Sequence, residues 1–299
     1  MTIPNLETAA IGRPITRLGI SLFPVYLTAN QLPEITTGPT AGIVLDELPA
    51  ASVPQLVVTN PTEQPILLVE GEQFVGGQQN RTINVSVLVP SQATVEIPVS
   101  CLERGRWGHY RGFERGETFT SRRVRRVKQH AVASSMAMAG SRHGDQSAVW
   151  GAVARELDDL NVQAATSAMA DADVTFHRDQ NRLAAVQELA GLGPLPDQCG
   201  VVVAHGPRVV AAEIFGAPHL LTPHWPALIR SHLLEHATDT GRTSATGALR
   251  LLGRFGTAES TDSPGIGLGI ERHVRGQRVT GQALTLEDVI VHASAFRSA

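Results

Sequence analysis

The sequence has little of several residue types on which common protein classes depend. Its two cysteines, Cys101 and Cys199, lack CxxC spacing and are too few for a disulfide framework or a cysteine-rich zinc site, so reduced thiols are expected. No run of 18 or more apolar residues occurs, which argues against a membrane-spanning helix and a membrane partner. The first residues, MTIPNLETAAIGRPITR, lack the basic start and apolar run of a secretory signal, so we expect a cytoplasmic location.

Lysine is nearly absent as well, because Lys128 is the only one and arginine carries almost all of the positive charge. The net charge of −3 is unevenly distributed. Between Arg104 and Lys128 there are nine arginine or lysine residues against two acids, which gives this segment a charge of +7. Such a patch attracts an anion, whether phosphate, nucleic acid or an acidic protein surface.

The basic run RRVRRVK at residues 122–128 could neutralise several nucleic-acid phosphates. The chain as a whole is acidic, however, and it contains neither helix-turn-helix or zinc-finger spacing nor an aromatic platform for single strands. We therefore do not expect a nucleic-acid partner. The run is better interpreted as part of an anionic ligand pocket, or as a face that forms ion pairs with the acidic stretch ARELDDL at 154–160.

The periodicity of the chain predicts an α+β fold. From about Thr16 to Ser100, short β-rich runs separated by Pro, Gly, Asn and Asp predict an N-terminal antiparallel β-sandwich or jelly-roll-like sheet. Helical periods predict helices at about 120–139, after a possible N-cap at Asp145, and over RDQNRLAAVQELAGLG. C-terminal hairpins and helices follow, including a hairpin over CGVVVAHGPRVVAAEIFG, and they could return to the first sheet.

The stretch after Cys101 is aromatic, rich in glycine and basic, and it marks the best candidate boundary in the chain. We expect a β-rich region at 1–101, a basic loop at 102–120, and a helical and mixed α/β region at 121–299. If the terminal strands return to the first sheet, residues 1–299 form one integrated α+β domain.

The segment EGEQFVGGQQNR, at 70–81, concentrates polar side chains between two runs that resemble buried strands. If the strand from Ile66 to Phe74 is regular, Glu70 and Glu72 share a face and could hold a cation or act as acid and base. The next run, RTINVSVLV, alternates as one continuous strand would. Alternatively, Gly76 and Gly77 form a bulged turn whose polar side chains satisfy backbone groups.

Cys101 lies at a predicted strand end, before Glu103, Arg104 and Arg106, a setting that would lower the pKa of a thiol. A nucleophilic cysteine would need a histidine nearby, which His109 or His130 could supply. The alternative is a buried structural cysteine.

Neither a metal site nor a dinucleotide fold is predicted. Among eleven histidines, His232 and His236 have i, i+4 spacing but lack a third ligand. The glycines of GIGLG lead into a predicted strand, which is the wrong context for a phosphate-cradling loop. The sequence names no cofactor.

The stretch LLVEGEQFVGGQQNRTINVSVLVPSQATVEIPVSCLERGRW resembles the signature of a bacterial domain family, the ADP-ribosylglycohydrolase and rhodanese-phosphatase associated domain family. The resemblance implies a role near NAD-derived nucleotides or protein ADP-ribosylation and assigns no catalytic role to a residue. The matching positions are Glu70, Gly71, Glu72, Gln79, Asn80, Arg81, Cys101, Glu103, Gly105, Arg106 and Trp107.

We therefore expect the protein to bind an ADP-ribose- or NAD-derived phosphorylated small molecule, and whether it also hydrolyses that molecule stays open at this point. The expected catalytic residues are Glu70, Glu72 and Cys101. The expected ligand-binding residues, with the arginines on phosphate and the tryptophan stacked on a base, are Gln79, Asn80, Arg81, Glu103, Arg104, Arg106 and Trp107. The alternative is a non-catalytic homo-oligomeric scaffold whose interface contains Trp107, Tyr110 and Phe113.

Overall fold

The computed structural model describes residues 3–28, 32–48, 52–108, 112–235, 237 and 241–298. Within these ranges, the strands that precede the first helix are β1 (Ala10–Ile11), β2 (Ile15–Arg17), β3 (Ile20–Tyr26), β4 (Thr36–Thr37), β5 (Val44–Asp46), β6 (Gln55–Asn60), β7 (Ile66–Leu68), β8 (Gln73–Val75), β9 (Arg81–Ile83), β10 (Val87–Val89), β11 (Ala93–Cys101) and β12 (Glu114–Arg115). The α-helices are α1 (Arg122–Ala139), α2 (Gln146–Asp159), α3 (Val174–Arg178), α4 (Gln180–Leu192), α5 (Pro218–Leu221), α6 (Trp225–Leu234) and α7 (Ala245–Thr257), with 3-10 turns at Met169–Asp173 and Thr222–His224. The remaining strands are β13 (Gly200–His205), β14 (Arg208–Phe215), β15 (Ser260–Pro264), β16 (Ile270–Gly276), β17 (Val279–Leu286) and β18 (Val289–Arg297).

Three sheets are formed by the described strands. Nine strands form one sheet in the order β1-β3-β13-β14-β18-β17-β16-β15, with β2 on β3; a second sheet has the order β12-β8-β9-β11-β6-β5 and a third β10-β7-β4. The predicted α+β class is confirmed, with N-terminal antiparallel sheets, helices in the middle and C-terminal strands. Because β3 pairs with β13 from Val25 opposite Gly200 to Ile20 opposite His205, the first strands share a sheet with the C-terminal ones. The division at 102–120 stays a prediction.

The helix and hairpin signals in the sequence identify these elements well. Asp145 caps α2, because its side chain accepts a hydrogen bond from the Ala148 backbone N–H at 3.0 Å. The α4 helix passes through Gly191 and ends at Leu192, where Gly193 adopts a positive φ of 66°. The hairpin of β13 and β14 turns at residues 206 and 207, as predicted. No helix in the described part of the chain combines the length and apolarity needed to cross a membrane.

The nine-stranded sheet is covered on both faces. On one face, α7 packs Leu252 and Phe255 into a core with strand residues such as Val25. On the other face, the remaining helices form a larger core with strand residues such as Val203 and Phe215. A third core fills the space between the two smaller sheets, and Val132 and Met136 of α1 close it. The α1 helix therefore contributes side chains to two of the three cores.

The prediction of a regular strand from Ile66 to Phe74 is wrong. The β7 strand ends at Leu68, the chain turns at Gly71 with a φ of 90°, and β8 begins at Gln73. A side chain on Gly71 would overlap Arg125, whose Cδ lies 2.7 Å from the position of a Cβ. Glycine therefore permits the turn, and the side chains on either side of it take different directions.

The prediction of one continuous strand over residues 81–89 is also wrong. The β9 strand ends at Ile83, and β10 begins at Val87 in a different sheet. Between them, the Ser86 backbone N–H donates to the Gln282 side chain at 3.1 Å, and the Asn84 backbone carbonyl accepts from the Gln129 side chain at 2.9 Å. These side-chain partners replace the bonds that a continuing strand would make.

A fully buried network of charges joins α1 to two of the sheet regions. The Arg125 guanidinium contacts the Glu70 carboxylate at 2.6 Å and the Glu213 carboxylate, on β14, at 2.5 Å. The Lys128 ammonium lies 2.6 Å from the other oxygen of Glu70, and the Ser294 hydroxyl donates to Glu70 at 2.9 Å. Both basic and both acidic side chains are 0% exposed. The network satisfies charges that would be very costly to bury alone.

The two basic groups decide the charge of Glu70. Burial opposes the ionised carboxylate, but Arg125 and Lys128 outweigh it and hold the pKa of Glu70 well below its ordinary value. Burial lowers the pKa of Lys128 to about 8, against the opposing effect of Glu70. Glu70 is therefore a structural anion in this fold.

Two further arginines of the basic run, Arg122 and Arg123, are paired with acids on neighbouring elements. Arg123 contacts Glu156 at 3.1 Å and also Asp159, both on α2, as expected for a basic face that opposes ARELDDL. The Arg122 Nε donates to Glu235 at 3.1 Å. Most of the run therefore serves internal ion pairs.

Replacement of Gly71 by alanine tests the close approach of Arg125. We expect Gly71→Ala to lower the free energy of unfolding by about 3 kcal/mol or more, because the methyl group displaces the buried Arg125 guanidinium, which leaves Glu213 without its arginine and Glu70 with Lys128 alone. Chemical denaturation measures the change. The matched control is Gly253→Ala in α7, where a Cβ would meet no atom within 4 Å and a gain of up to about 1 kcal/mol is expected. Equal effects of the two substitutions would contradict the steric account.

Candidate functional site

Two adjoining cavities meet at Arg115 and form the candidate site. The inner one, of about 30 Å³, is lined by Glu72, Gln73 and His224 among others. The outer one, of about 190 Å³, is lined by Phe74 and Phe113, and Arg115 and Pro39 line both. We call the space bounded by these side chains the Arg115 cleft; its members are Pro39, Glu72, Gln73, Phe74, Phe113, Arg115 and His224.

The pairing of two short strands positions Arg115. The β12 strand pairs with β8, which places Arg115 opposite Phe74, and the guanidinium lies 5.7 Å from the centroid of that ring. The next residue, Gly116, donates its backbone N–H to the Gln73 carbonyl at 2.8 Å. A Cβ on Gly116 would lie 2.9 Å from the Gln73 Cβ, so glycine allows the two strands to come this close.

Glu72 faces Arg115 from the inner cavity. Its Oε2 forms an ion pair with the Arg115 Nη1, and its Oε1 accepts a hydrogen bond from the Val69 backbone N–H at 3.1 Å. The carboxyl group is nevertheless almost completely enclosed. Burial raises the pKa of Glu72 above its ordinary value, and Arg115 only partly offsets this effect. Glu72 can therefore exchange a proton closer to neutral pH than an exposed glutamate can.

His224 lies on the opposite side of the same carboxyl group. Its Nε2 is 2.7 Å from the Thr37 hydroxyl, which donates its own hydrogen to the Leu67 carbonyl at 2.7 Å. The Nε2 must then carry the proton, which leaves the Nδ1 lone pair 3.4 Å from the Glu72 Oε1. Burial, together with Arg115 and His292, holds the pKa of His224 well below its ordinary value. The neutral ring is therefore an acceptor beside a carboxyl group.

Aromatic side chains fix the orientation of the His224 ring. It stacks on Phe215 with 5.6 Å between centroids and meets the edge of Phe119 at 5.8 Å. With the ring held in place, a proton on Glu72 can be shared with His224 only along the line between the Glu72 Oε1 and the His224 Nδ1. The pair can thus act as an acid and base whose position does not change.

Two polar atoms of the cleft have unused hydrogen-bonding capacity. The Arg115 Nη2 donor and the Gln73 Oε1 acceptor are shielded from water, and neither has a partner among the described residues. Buried polar groups usually find partners, so exceptions that converge on a cavity are typical of a ligand site. The arrangement can hold an anionic group on Arg115 and move a proton at Glu72.

Most of the sequence-predicted ligand residues form a separate internal network. Arg106 donates to the Glu103 carboxylate at 2.7 and 3.0 Å, to the Asn80 side chain at 3.1 Å and to the Gly77 carbonyl at 2.7 Å. The Gln79 amide donates to the Glu103 carbonyl at 2.9 Å. Burial opposes the Glu103 charge, but Arg106 outweighs it and lowers the pKa of Glu103.

This network corresponds to the alternative interpretation of the segment at 70–81, in which Gly76 and Gly77 form a bulged turn and the polar side chains satisfy backbone groups. Gly76 and Gly77 both have positive φ, and the Gly76 backbone N–H donates to the Asn80 side chain at 3.0 Å. The structure brings Asn80, Glu103 and Arg106 together without placing them on the walls of the cavities described above. Their predicted role in ligand binding stays a prediction.

The thiol of Cys101 is buried and donates to the Glu103 carbonyl at 2.9 Å. Burial raises the pKa of Cys101, so the expectation that the neighbouring arginines would lower it is wrong; the loss of solvent outweighs their charge. His130 is exposed on α1, and His109 lies outside the described residues. The predicted catalytic role of Cys101 stays a prediction.

The remaining predicted residues lie in three different settings. Arg81 is fully buried and donates to the Gln79 side chain at 3.1 Å, and the Arg104 guanidinium lies 5.7 Å from the centroid of the Trp150 ring. Trp107 is 54% exposed. Glu70 belongs to the buried charge network and not to the cleft. Of the predicted catalytic residues, Glu72 is the one that lines the Arg115 cleft.

The sequence did not single out Arg115 or His224. Arg115 was counted in the segment with a charge of +7, but its neighbours in the chain are no more distinctive than those of other arginines. His224 is separated from Glu72 by more than half of the chain, and only the packing of α6 and its preceding turn brings it near. A count of charges along the sequence includes Arg115, whereas only the tertiary fold shows that His224 lies near Glu72.

Among the described residues, no group of three or more His, Cys, Asp or Glu side chains is arranged to hold a metal ion. His232 of the predicted pair is buried, and its two ring nitrogens have no partner in the described part of the chain. The other member, His236, lies outside the described residues. Burial lowers the pKa of His232 to about 4, with Glu213, Arg125, His205 and Glu235 as the charged neighbours.

The fold and cleft define an α+β protein with a buried acid and base pair beside an arginine. The chain belongs to the ARG and Rhodanese-Phosphatase-superfamily-associated Protein domain family, whose model matches residues 8–296. This match confirms the resemblance drawn from the segment at 67–107. No curated protein and no solved structure shows significant similarity to the chain.

Replacement of His232 by leucine tests the burial of an uncharged imidazole. The pKa of His232 is depressed to about 4 in the folded chain. The unfolded chain therefore takes up a proton at His232 below about pH 6.5, whereas the folded chain does so only near pH 4. The stabilisation from burying a neutral His232 is fully present above about pH 6.5, and it is lost as the pH falls towards 4. We expect wild type to lose up to about 3 kcal/mol more than His232→Leu across this window.

Urea denaturation at several pH values measures this difference, with His177→Leu as the control because His177 is exposed. The control should keep the pH profile of wild type. Parallel profiles for His232→Leu and wild type would show that His232 titrates alike in both states.

Proposed function

We propose that the protein binds a phosphorylated small molecule of the ADP-ribose type in the Arg115 cleft. The observation that carries this proposal is the unpartnered Arg115 Nη2, which is shielded from water at the junction of the two cavities. A guanidinium offers paired donors that match the oxygens of a phosphate. The Glu72 carboxylate pairs only with the Nη1 of the Arg115 guanidinium, so a phosphate oxygen can bind the Nη2.

The outer cavity supplies an aromatic wall for the rest of the ligand. Phe74 and Phe113 line it together with Ile43 and Leu45, which suits the flat face of a base or the apolar side of a ribose. Its volume of about 190 Å³ is smaller than that of a site which encloses a whole nucleotide. One end of the ligand therefore lies inside the cleft and the remainder extends into solvent.

The family supports the chemical class of the ligand. Its description associates the domain with ADP-ribosylglycohydrolase and rhodanese-phosphatase proteins, which act on ADP-ribose and phosphate groups. In this proposal Arg115 takes the role that the sequence assigned to Arg81, Arg104 and Arg106. The reason is that Arg106 is committed to internal acceptors, whereas Arg115 lines both cavities.

Hydrolysis of the bound molecule is a second candidate function, and the Glu72–His224 pair is the observation that favours it. A carboxyl group whose pKa is raised by burial is a stronger base once ionised, and it could take a proton from an attacking water. As the bond to the leaving group breaks, Glu72 would return that proton to the leaving group, while the His224 Nδ1 accepts a hydrogen bond from the protonated carboxyl group. The loss of a base of this kind costs about a hundredfold or more in rate.

Calorimetry with ADP-ribose, NAD and inorganic phosphate tests both candidates. We expect Arg115→Ala to weaken ADP-ribose binding about tenfold or more, because a charge-assisted hydrogen bond is lost. Glu72→Gln should keep binding but lose any turnover of the bound molecule. Arg254→Ala, an exposed arginine on α7, is the control for the change in net charge. Absence of heat for all three ligands at millimolar concentration would remove the proposal.

A non-catalytic homo-oligomeric scaffold is the third candidate, and the exposure of Trp107 favours it. Large exposed aromatic side chains are typical of interface hot spots. We expect Trp107→Ala to shift the mass measured by light scattering towards the monomer if this surface mediates assembly. Leu249→Ala, which shortens another exposed apolar side chain, is the matched control. An unchanged mass in Trp107→Ala would exclude Trp107 from an interface.

A further inference from the structure

A third cavity, of about 650 Å³, lies along the outer side of α1. Arg126, Val127, His130, Ala131, Ser134 and Ser135 line it from α1, and Asp145 and Ala148 line it from the start of α2. We call this space the α1 groove. Its volume falls in the range of sites that enclose a complete small molecule. Arg126 and Ser135 are nine residues apart on the helix, so the groove extends over about 13 Å.

Arg126 differs from the other arginines of the basic run. Arg122, Arg123 and Arg125 each pair with carboxylates, whereas no ion pair joins Arg126 to an acid in the described part of the chain. Its Nε is shielded from water and meets no acceptor among the described residues. Burial, followed by repulsion from Arg122, lowers the pKa of Arg126. Glu235 attracts the Arg126 charge without forming an ion pair with it, so the guanidinium keeps hydrogen-bonding capacity for an anion.

The other lining residues supply a polar side chain one helical turn from Arg126 and an apolar surface beside it. His130 lies one helical turn from Arg126 and is exposed, so its ring can donate to the same bound group. Val127, Ala131 and Ala148 supply apolar surface between them. The one acid that lines the described part of the groove, Asp145, is occupied as the N-cap of α2. The N-cap carboxylate keeps its negative charge, so the attraction of the groove for an anion rests on Arg126.

We propose that the α1 groove is a second ligand site, which binds a small organic anion with its charged group between Arg126 and His130 and its apolar body along Val127 and Ala131. This site is separate from the Arg115 cleft and does not depend on the function proposed for that cleft. A phosphate ester and a carboxylate share the required chemistry. A nucleic acid does not fit, because one arginine without an ion pair cannot follow a backbone of several phosphates.

The test uses phenyl phosphate, benzoate and inorganic phosphate as probes, with the full chain carrying Arg115→Ala so that the cleft cannot contribute. We expect at least one of the two aromatic anions to bind, and to bind more tightly than inorganic phosphate because of its apolar body. The NMR signal of the His130 ring, assigned with His130→Gln, should shift during the titration. Comparison of the two aromatic probes distinguishes a phosphate ester from a carboxylate.

Two variants locate the binding. Arg126→Ala should weaken binding about tenfold or more, whereas Arg254→Ala should leave it unchanged. Ser134→Phe fills the groove without removing a charge and should also abolish binding; the Ser134 hydroxyl already donates to the His130 carbonyl at 2.9 Å. Circular dichroism checks that each variant is folded. Equal affinity in Arg126→Ala and its parent, or a titration that leaves the His130 signal unmoved, would overturn the proposal.

Discussion

The position of Arg125 between Glu70 and Glu213 is the constraint on which the rest of the structure depends. One guanidinium from α1 satisfies a carboxylate that follows β7 and another on β14, which belong to different sheets. Taking three charges out of water is costly, and the cost is offset only when all of them meet with good geometry. A shift of α1 along either sheet would leave an unpaired charge in the core. The network therefore specifies how the layers are aligned more than it adds to stability.

The same network determines where the candidate site lies. Glu70 is drawn inwards to Arg125, the chain reverses at Gly71, and Glu72 then faces the other way, towards Arg115. Two acids that are neighbours in the sequence consequently have opposite properties. The pKa of Glu70 is held low by two bases, whereas burial raises the pKa of Glu72. One is a permanent counterion, and the other is suited to proton exchange.

Local signals in the sequence predicted local structure correctly. Asp145 and the apolar periodicity of α2 are enough to place a helix, and a two-residue turn between two apolar runs is enough to place the hairpin of β13 and β14. The residues of the segment at 67–107 also indicated the family, which the match over residues 8–296 confirms. What failed was the assumption that regular alternation continues through residues 66–74 and 81–89. Bonds from Arg125 and Gln282, both distant in sequence, end those strands, and no periodicity within the segments records them.

The burial of Lys128 determines how the folded chain responds to amine-selective reagents. It is the only lysine in the chain, and its ammonium group is enclosed between Glu70 and the Ile83 carbonyl with none of its surface exposed. The folded protein thus presents no accessible ε-amine to amine-selective reagents. Dyes, cross-linkers and surface couplings that act on such amines should leave Lys128 unmodified until the core opens, so its reactivity would report unfolding directly.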